Sequence, residues 1–263
     1  MKKGIKILSW SAFTLVVLIL LVLVDYSYSA IPCRGAEVNI TQEGGHHFIT
    51  KESVLEQLSA IGYPLTNQVY KEIEAERIEQ EIKQTAGVKS AEVVKLNNGT
   101  VVLDIVQSRP IARIVNSNGL VSFYLDEDGN TMPLSKTYIA KVPVFSGDIY
   151  YVNNNVPSVS KIKENDSLKA VHILDDIYAV ALAIDKNDFV KAQVLQVLVT
   201  PKVEFEMIPR VGRNRIMLGD TENIELKIKR LNRFYTEVIN PKELNNYDTI
   251  SLKYQNQIVC SKR

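Results

Sequence analysis

The sequence predicts an α+β protein in three parts: one N-terminal transmembrane helix, a small β-α-α-β-β domain, and a larger, mainly antiparallel β domain with inserted helices. Three observations lead there. An uncharged run from Ile7 to Val24 follows Lys2, Lys3 and Lys6 and stops at Asp25. Two stretches of helical periodicity sit between short β-branched runs in the first half of the chain. After about Gln107 the pattern turns into period-two runs broken by Gly, Asn and Asp clusters.

Eighteen residues at 1.5 Å rise give a helix of about 27 Å, close to the roughly 30 Å hydrocarbon core of a bilayer. All positive charges of the short tail precede the run, so the tail (1–6) is expected in the cytoplasm and the chain beyond the span (7–24) outside it. The alternative is a cleaved leader, cut after Ser29 with Ser27 at −3. Leader cores are about 7–15 residues, shorter than this one, and Tyr26 and Tyr28 suit an interfacial anchor.

The small domain is expected over residues 36–107. Val38-Asn39-Ile40 is its first strand. Thr50 caps a helix that turns Val54, Leu55, Leu58 and Ile61 to one face and ends at Gly62, with Pro64 beyond. A charged helix from about Val69 to Gln84 buries Ile73, Ile78 and Ile82. Val88–Leu96 and Thr100–Val106 form a hairpin around Asn97-Asn98-Gly99, where an Asn-Gly turn asks both central residues for φ > 0.

The β domain, 108–263, opens with strands Ile111–Val115 and Val121–Leu125 about Asn116-Ser117-Asn118-Gly119. Asp126-Glu127-Asp128-Gly129 is a hairpin turn; as a calcium loop it lacks acids at alternate positions and a closing glutamate. Val142–Gly147 is a strand edge and turn. Ser167 caps a helix to about Ile184, and strands follow at Val194–Val199, Val203–Ile208 and Arg215–Leu218. Asp220 or Thr221 caps a helix carrying Ile224, Ile228, Leu231 and Tyr235, with Lys229, Arg230 and Arg233 toward its C-terminal end. Ile250 to Tyr254 alternates with period two as a last strand, followed by Ile258-Val259 as its continuation or as a second short one.

Lys+Arg 31 against Asp+Glu 30 leaves net +1, so no global field favours nucleic acid. Cys33 and Cys260 lie near opposite ends of the extracytoplasmic part and are expected to stay unpaired. No nucleophile elbow, zinc helix or phosphate loop is present, so no catalytic residue, metal ligand or cofactor is assigned. His46-His47 reads as a solvated loop pair, and the charges of the second helix as a solvated face.

Several segments share an order with a known family. Gly87-Val88-Lys89-Ser90-Ala91-Glu92-Val93, then Leu103 to Ala112 with Arg109-Pro110, then Tyr124-Leu125-Asp126-Glu127-Asp128-Gly129, Val142-Pro143-Val144-Phe145-Ser146-Gly147 and Leu218-Gly219-Asp220 lead to Ser251-Leu252-Lys253-Tyr254. This series, behind one membrane span and a β-α-α-β-β module, resembles the bacterial cell-division protein family FtsQ (DivIB in Gram-positives). Departures fall at Ser108, Ser251 and Lys253, where the family pattern has Glu, Asp and Arg. The resemblance implies a POTRA domain at 36–107 and a non-enzymatic divisome scaffold in the inner membrane. Its C-terminal bulk would lie in the periplasm at the septum. Implied partners are FtsB-like and FtsL-like coiled-coil membrane proteins, with no nucleic acid and no small-molecule substrate. The partner is expected along the last strands, with Tyr254 as aromatic anchor and Ile250, Ser251, Leu252 and Lys253 beside it. Ile250, Leu252 and Tyr254 also fit the buried face of a final strand. A POTRA-type scaffold of another envelope assembly or secretion system is the alternative reading, and a membrane-anchored envelope enzyme a weaker one.

Overall fold

The computed structural model describes residues 10, 13–23, 32–41, 48–65, 69–135, 138–151, 156–169 and 172–263. Most of the N-terminal tail, its lysines, Asp25, Tyr26, Tyr28, His46 and His47 lie outside the described residues. Within the expected span the structure describes a helix α1 at 13–23, whose side chains are exposed. Eleven residues reach about 16 Å, and among the described residues no helix is long and apolar enough to cross a membrane. The remaining ends of the expected span, 7–9, 11–12 and 24, are outside the described residues.

The chain divides into two compact units on either side of the Gln107–Ser108 junction. In the first, β1 (Gly35–Thr41), α2 (Lys51–Ala60), α3 (Ala75–Lys83), β2 (Val88–Lys95) and β3 (Thr100–Gln107) build a three-stranded sheet in the order β1-β3-β2. β1 runs parallel to β3, and β2 antiparallel. Thr50 caps α2 in a reciprocal pair: its hydroxyl accepts from the Ser53 N–H at 3.2 Å, while its own N–H donates to the Ser53 hydroxyl at 3.0 Å. Val54, Leu58, Ile78, Ile82, Leu103 and Ile105 form the core of this unit. Cys33 is buried there, and neither cysteine is in a disulfide.

Two local expectations change. The second helix is shorter than 69–84: a 3-10 turn at Tyr70–Glu72 precedes α3, because Ile73 and Glu74 leave helical backbone between them. The hairpin loop has three residues, Asn97-Asn98-Gly99, closed by Gly99 N–H to Leu96 C=O at 3.1 Å and Leu96 N–H to Thr100 C=O at 2.9 Å. Only Gly99 takes positive φ, +88°, so the turn needs one left-handed residue where a two-residue loop would need two.

The second unit is a nine-stranded sheet with helices. Its strands are β4 (Pro110–Val115), β5 (Ser122–Asp126), β6 (Thr131–Met132), β7 (Val144–Gly147), β8 (Val194–Val199), β9 (Phe205–Pro209), β10 (Arg215–Gly219), β11 (Tyr247–Ser251) and β12 (Val259–Lys262). Their spatial order is β12-β11-β10-β9-β8-β7-β4-β5-β6. The sheet is mixed: among the described residues β4–β5, β5–β6, β8–β9, β9–β10 and β11–β12 are antiparallel, the majority expected, and β4–β7, β7–β8 and β10–β11 are parallel. Helices account for two of the three parallel pairs. A helical crossover returns the chain to run in the same direction, and two such connections separate β7 from β8 and β10 from β11.

The expected helix from Ser167 to Ile184 is divided between α5 (Asp166–Lys169) and α6 (Leu174–Asp185), with α4 (Val159–Lys163) before them and α7 (Asp188–Gln193) after. Ser167 lies inside α5 and does not cap it. Nor do Asp220 or Thr221 cap α8 (Ile224–Arg233); Asn223 does the entry turn in left-handed backbone. Leu174, Ile177, Val180 and Ile184 of α6 and Ile228 and Leu231 of α8 pack with Ile114, Phe145, Val197, Met207, Ile216 and Ile250 of the sheet in one apolar core.

Arg109 anchors the start of this unit. Its guanidinium donates to both Asp185 carboxylate oxygens at 2.9 and 2.8 Å, and Nε donates to Glu127 at 3.0 Å. Asp126 closes the β5–β6 turn as a buried acceptor for the N–H groups of Asp128 and Asn130, at 3.0 and 2.7 Å. Burial pushes the Asp126 carboxyl up, against those hydrogen bonds.

Candidate partner interface

The last two strands end the sheet. β11 pairs with β10 on one side and β12 on the other, so β11 has no free edge. β12 is the terminal strand, paired only with β11 among the described residues. Its outer backbone edge is therefore open, bordered by the exposed side chains of Val259, Ser261 and Lys262.

The five residues expected at this site divide into three settings. Ile250 and Leu252 are fully buried in the sheet–helix core. Ser251, the last residue of β11, is half-buried opposite Val259. Leu252 N–H still donates to Met217 C=O at 2.9 Å, but the strand stops there, and Lys253 and Tyr254 belong to the turn leading to β12. The period-two run thus overstates the strand by three residues, because the chain must reverse to place β12 beside β11. Tyr254 is 52% exposed.

Around Tyr254 the turn and α8 enclose a groove of about 280 Å³, lined by Leu226, Lys227, Arg230, Lys253, Tyr254 and Asp220 among others. Arg230 donates to the Tyr254 carbonyl at 2.9 Å and so ties the turn to the helix. Lys253 pairs with Glu204 at 2.5 Å. Lys227 is buried and donates to the Asp220 carbonyl at 2.9 Å and its carboxylate at 2.6 Å. That hydrogen bond holds the Asp220 carboxyl below its ordinary range. Leu226 is exposed on the groove wall.

This surface combines an open strand edge, an exposed aromatic ring, an apolar wall and several cations. Among the described residues, no three His, Cys, Asp or Glu side chains gather as a metal site. Sequence reading missed Leu226 and Arg230 here. The i, i+4 spacing of the two on α8 put them on one face, but nothing local said that the face meets the Tyr254 turn.

The family description "FtsQ/DivIB, C-terminal related" matches residues 109–261, more than half of the chain, and takes in the groove and most of β12. The chain belongs to that family. A POTRA-like domain matches residues 31–106, the first unit. No curated protein matches the chain.

Proposed function

We propose that this chain is a non-enzymatic divisome scaffold, held by the apolar segment 7–24 as a single-pass inner-membrane protein with units 36–107 and 108–263 outside the cytoplasm at the septum. The family membership of residues 109–261, together with a POTRA-like first unit, supports the divisome reading. The observation that carries the mode of action is the open edge of β12 beside exposed Tyr254. An extended segment of an FtsB-like or FtsL-like coiled-coil protein adds there as a tenth strand, its backbone satisfying the edge and its side chains meeting Tyr254. Tyr254, Lys253 and Ser251 act by contact. Ile250 and Leu252 act from the core, by fixing the strand that positions β12.

Binding of the full chain in detergent to the extracytoplasmic segment of an FtsB-like coiled-coil protein tests this. Truncating a central aromatic anchor costs about 2 kcal/mol or more, so Tyr254→Ala should weaken binding roughly thirtyfold and Tyr254→Glu abolish it, with the melting temperature kept. Wild-type affinity in both variants would move the interface away from this edge. An absence of any wild-type binding would remove these partners from the proposal.

A further inference from the structure

The three-stranded sheet of the first unit has one face that the described residues leave to solvent. Leu103 and Ile105 of β3 and Ala91 and Val93 of β2 join the core with α2 and α3. Their neighbours alternate to the opposite side. Pairing lines these neighbours up in cross-strand rows: Glu37, Val102 and Val94 in one, Asn39, Asp104 and Glu92 in the next, and Val106 in a third. All are exposed except Val102, which is half-buried.

Two properties distinguish this face from an ordinary wet surface. Three valines stay on its outside, Val94 37% and Val106 39% exposed, where a strand with one solvated side carries polar residues. The charges also have a single sign. Glu37, Glu92 and Asp104 have no lysine or arginine partner among the described residues, and Asp104 accepts only from the Asn39 side-chain amide, at 2.8 Å. Lys95 of β2 turns to the helix side, donating to Ile73 C=O at 2.8 Å and lying over the Tyr70 ring. Lys89 sits in the bulge of β2 beyond the third row. On α3, by contrast, acids and cations are interleaved, as in the pairs Arg77–Glu74 and Lys83–Glu79. Interleaving is what a merely solvated face carries, whereas one sign over an apolar ground makes a field that selects its partner.

We infer that this face docks a basic amphipathic helix of another protein, laid along β2 and β3. Charge selects the occupant. A second copy would set acid against acid, and an anionic bilayer would be repelled for the same reason. An extended segment would take the edges of the sheet, β1 or β2, and leave the face open. Outward residues of a strand recur at about 6.8 Å, and residues i and i+4 of a helix at about 6 Å. A helix reading aliphatic, basic, aliphatic at i, i+4 and i+8 therefore sets its apolar side chains on Val94 with Val102 and on Val106. Its cation falls between Glu92 and Asp104. The flanking apolar contacts exclude water from that pair and strengthen it. The face belongs to the first unit and the β12 edge to the second, so the inference holds whether or not that edge binds.

Methyl NMR of the valine-labelled full chain, in an uncharged detergent, tests this with three peptides of about eighteen residues. One is an alanine-rich helix with Leu, Lys and Leu at i, i+4 and i+8; the second has Glu for Lys; the third is oligolysine. The first should shift the methyl signals of Val94, Val102 and Val106, and the second should bind at least about tenfold more weakly. Glu92→Gln and Asp104→Asn should each weaken the first peptide about threefold, the scale of a partly exposed ion pair, with the melting temperature kept. Glu76→Gln, on the helix side of the same unit, should leave its affinity unchanged. The inference would be overturned by an absence of shifts at about 5 mM peptide, a concentration that reveals millimolar affinities. Equal binding of the glutamate helix or of oligolysine would overturn it too, as would a loss in Glu76→Gln as large as that in Glu92→Gln.

Discussion

Replacing Arg109 with alanine removes a guanidinium that joins three segments of the second unit. Two of its N–H groups bind Asp185, at the end of α6, and Nε binds Glu127 in the β5–β6 turn. Asp185 is about one-tenth exposed and would keep only Lys191, at 2.6 Å, as a charged partner. Breaking a buried ion pair on one side costs about 3–5 kcal/mol, and Arg109 is one-quarter exposed with Lys191 remaining, which lowers the expectation to about 2–3 kcal/mol. For a unit of this size, Ser108–Arg263, each kcal/mol moves the melting temperature by about 2–4 °C, so a drop of about 5–10 °C is expected. Arg109→Lys keeps the charge and loses the fork, and should fall between. Calorimetry of the full chain measures this, and a double-mutant cycle with Asp185→Asn should give a coupling of at least about 1 kcal/mol. Burial alone would raise the Asp185 carboxyl, but hydrogen bonds from Arg109 and Lys191 and their charges hold it below its ordinary value. A depressed acid stabilises above its unfolded pKa and loses that contribution as pH falls through the folded one. The Arg109→Ala penalty should therefore be full at pH 7 and shrink below about pH 4, near the unfolded carboxylate value. An unchanged melting temperature, strict additivity in the cycle, or a penalty that grows in acid would refute this account.

Two further substitutions probe single backbone features. Gly147, at φ +104°, would place a Cβ 2.3 Å from the Val199 carbonyl oxygen, a backbone atom fixed in the β7–β8 pairing. Gly147→Ala should therefore cost more than about 3 kcal/mol and give largely unfolded second unit by near-ultraviolet circular dichroism. Thr50→Ala removes the cap of α2 and should cost only about 1 kcal/mol, read as faster amide exchange confined to α2 and its neighbours in the first unit.

The Arg109 and Gly147 cases show where sequence reading stopped. Arg109-Pro110 and Val142–Gly147 were visible as motifs, but Asp185 and Val199 are far along the chain and nothing local points to them. The β7–β8 parallel pair was equally hidden, since a helix between two strands is compatible with either direction until the crossover is built. Tyr254 stood out in sequence as an aromatic at the chain's end; the Leu226 and Arg230 wall that frames it did not.

By itself the sequence determined the periodicities and the turn chemistry. The Thr50 cap, the turn glycines and the boundaries of β8 follow from contacts within a few residues, which local composition encodes. Tertiary structure alone decided which strands are neighbours, that the sheet is mixed, that β12 and not β11 carries the open edge, and that Tyr151 and His172, apart in sequence, stack. Those outcomes depend on pairings between distant segments, where loop closure and core burial select one arrangement among many with the same local preferences.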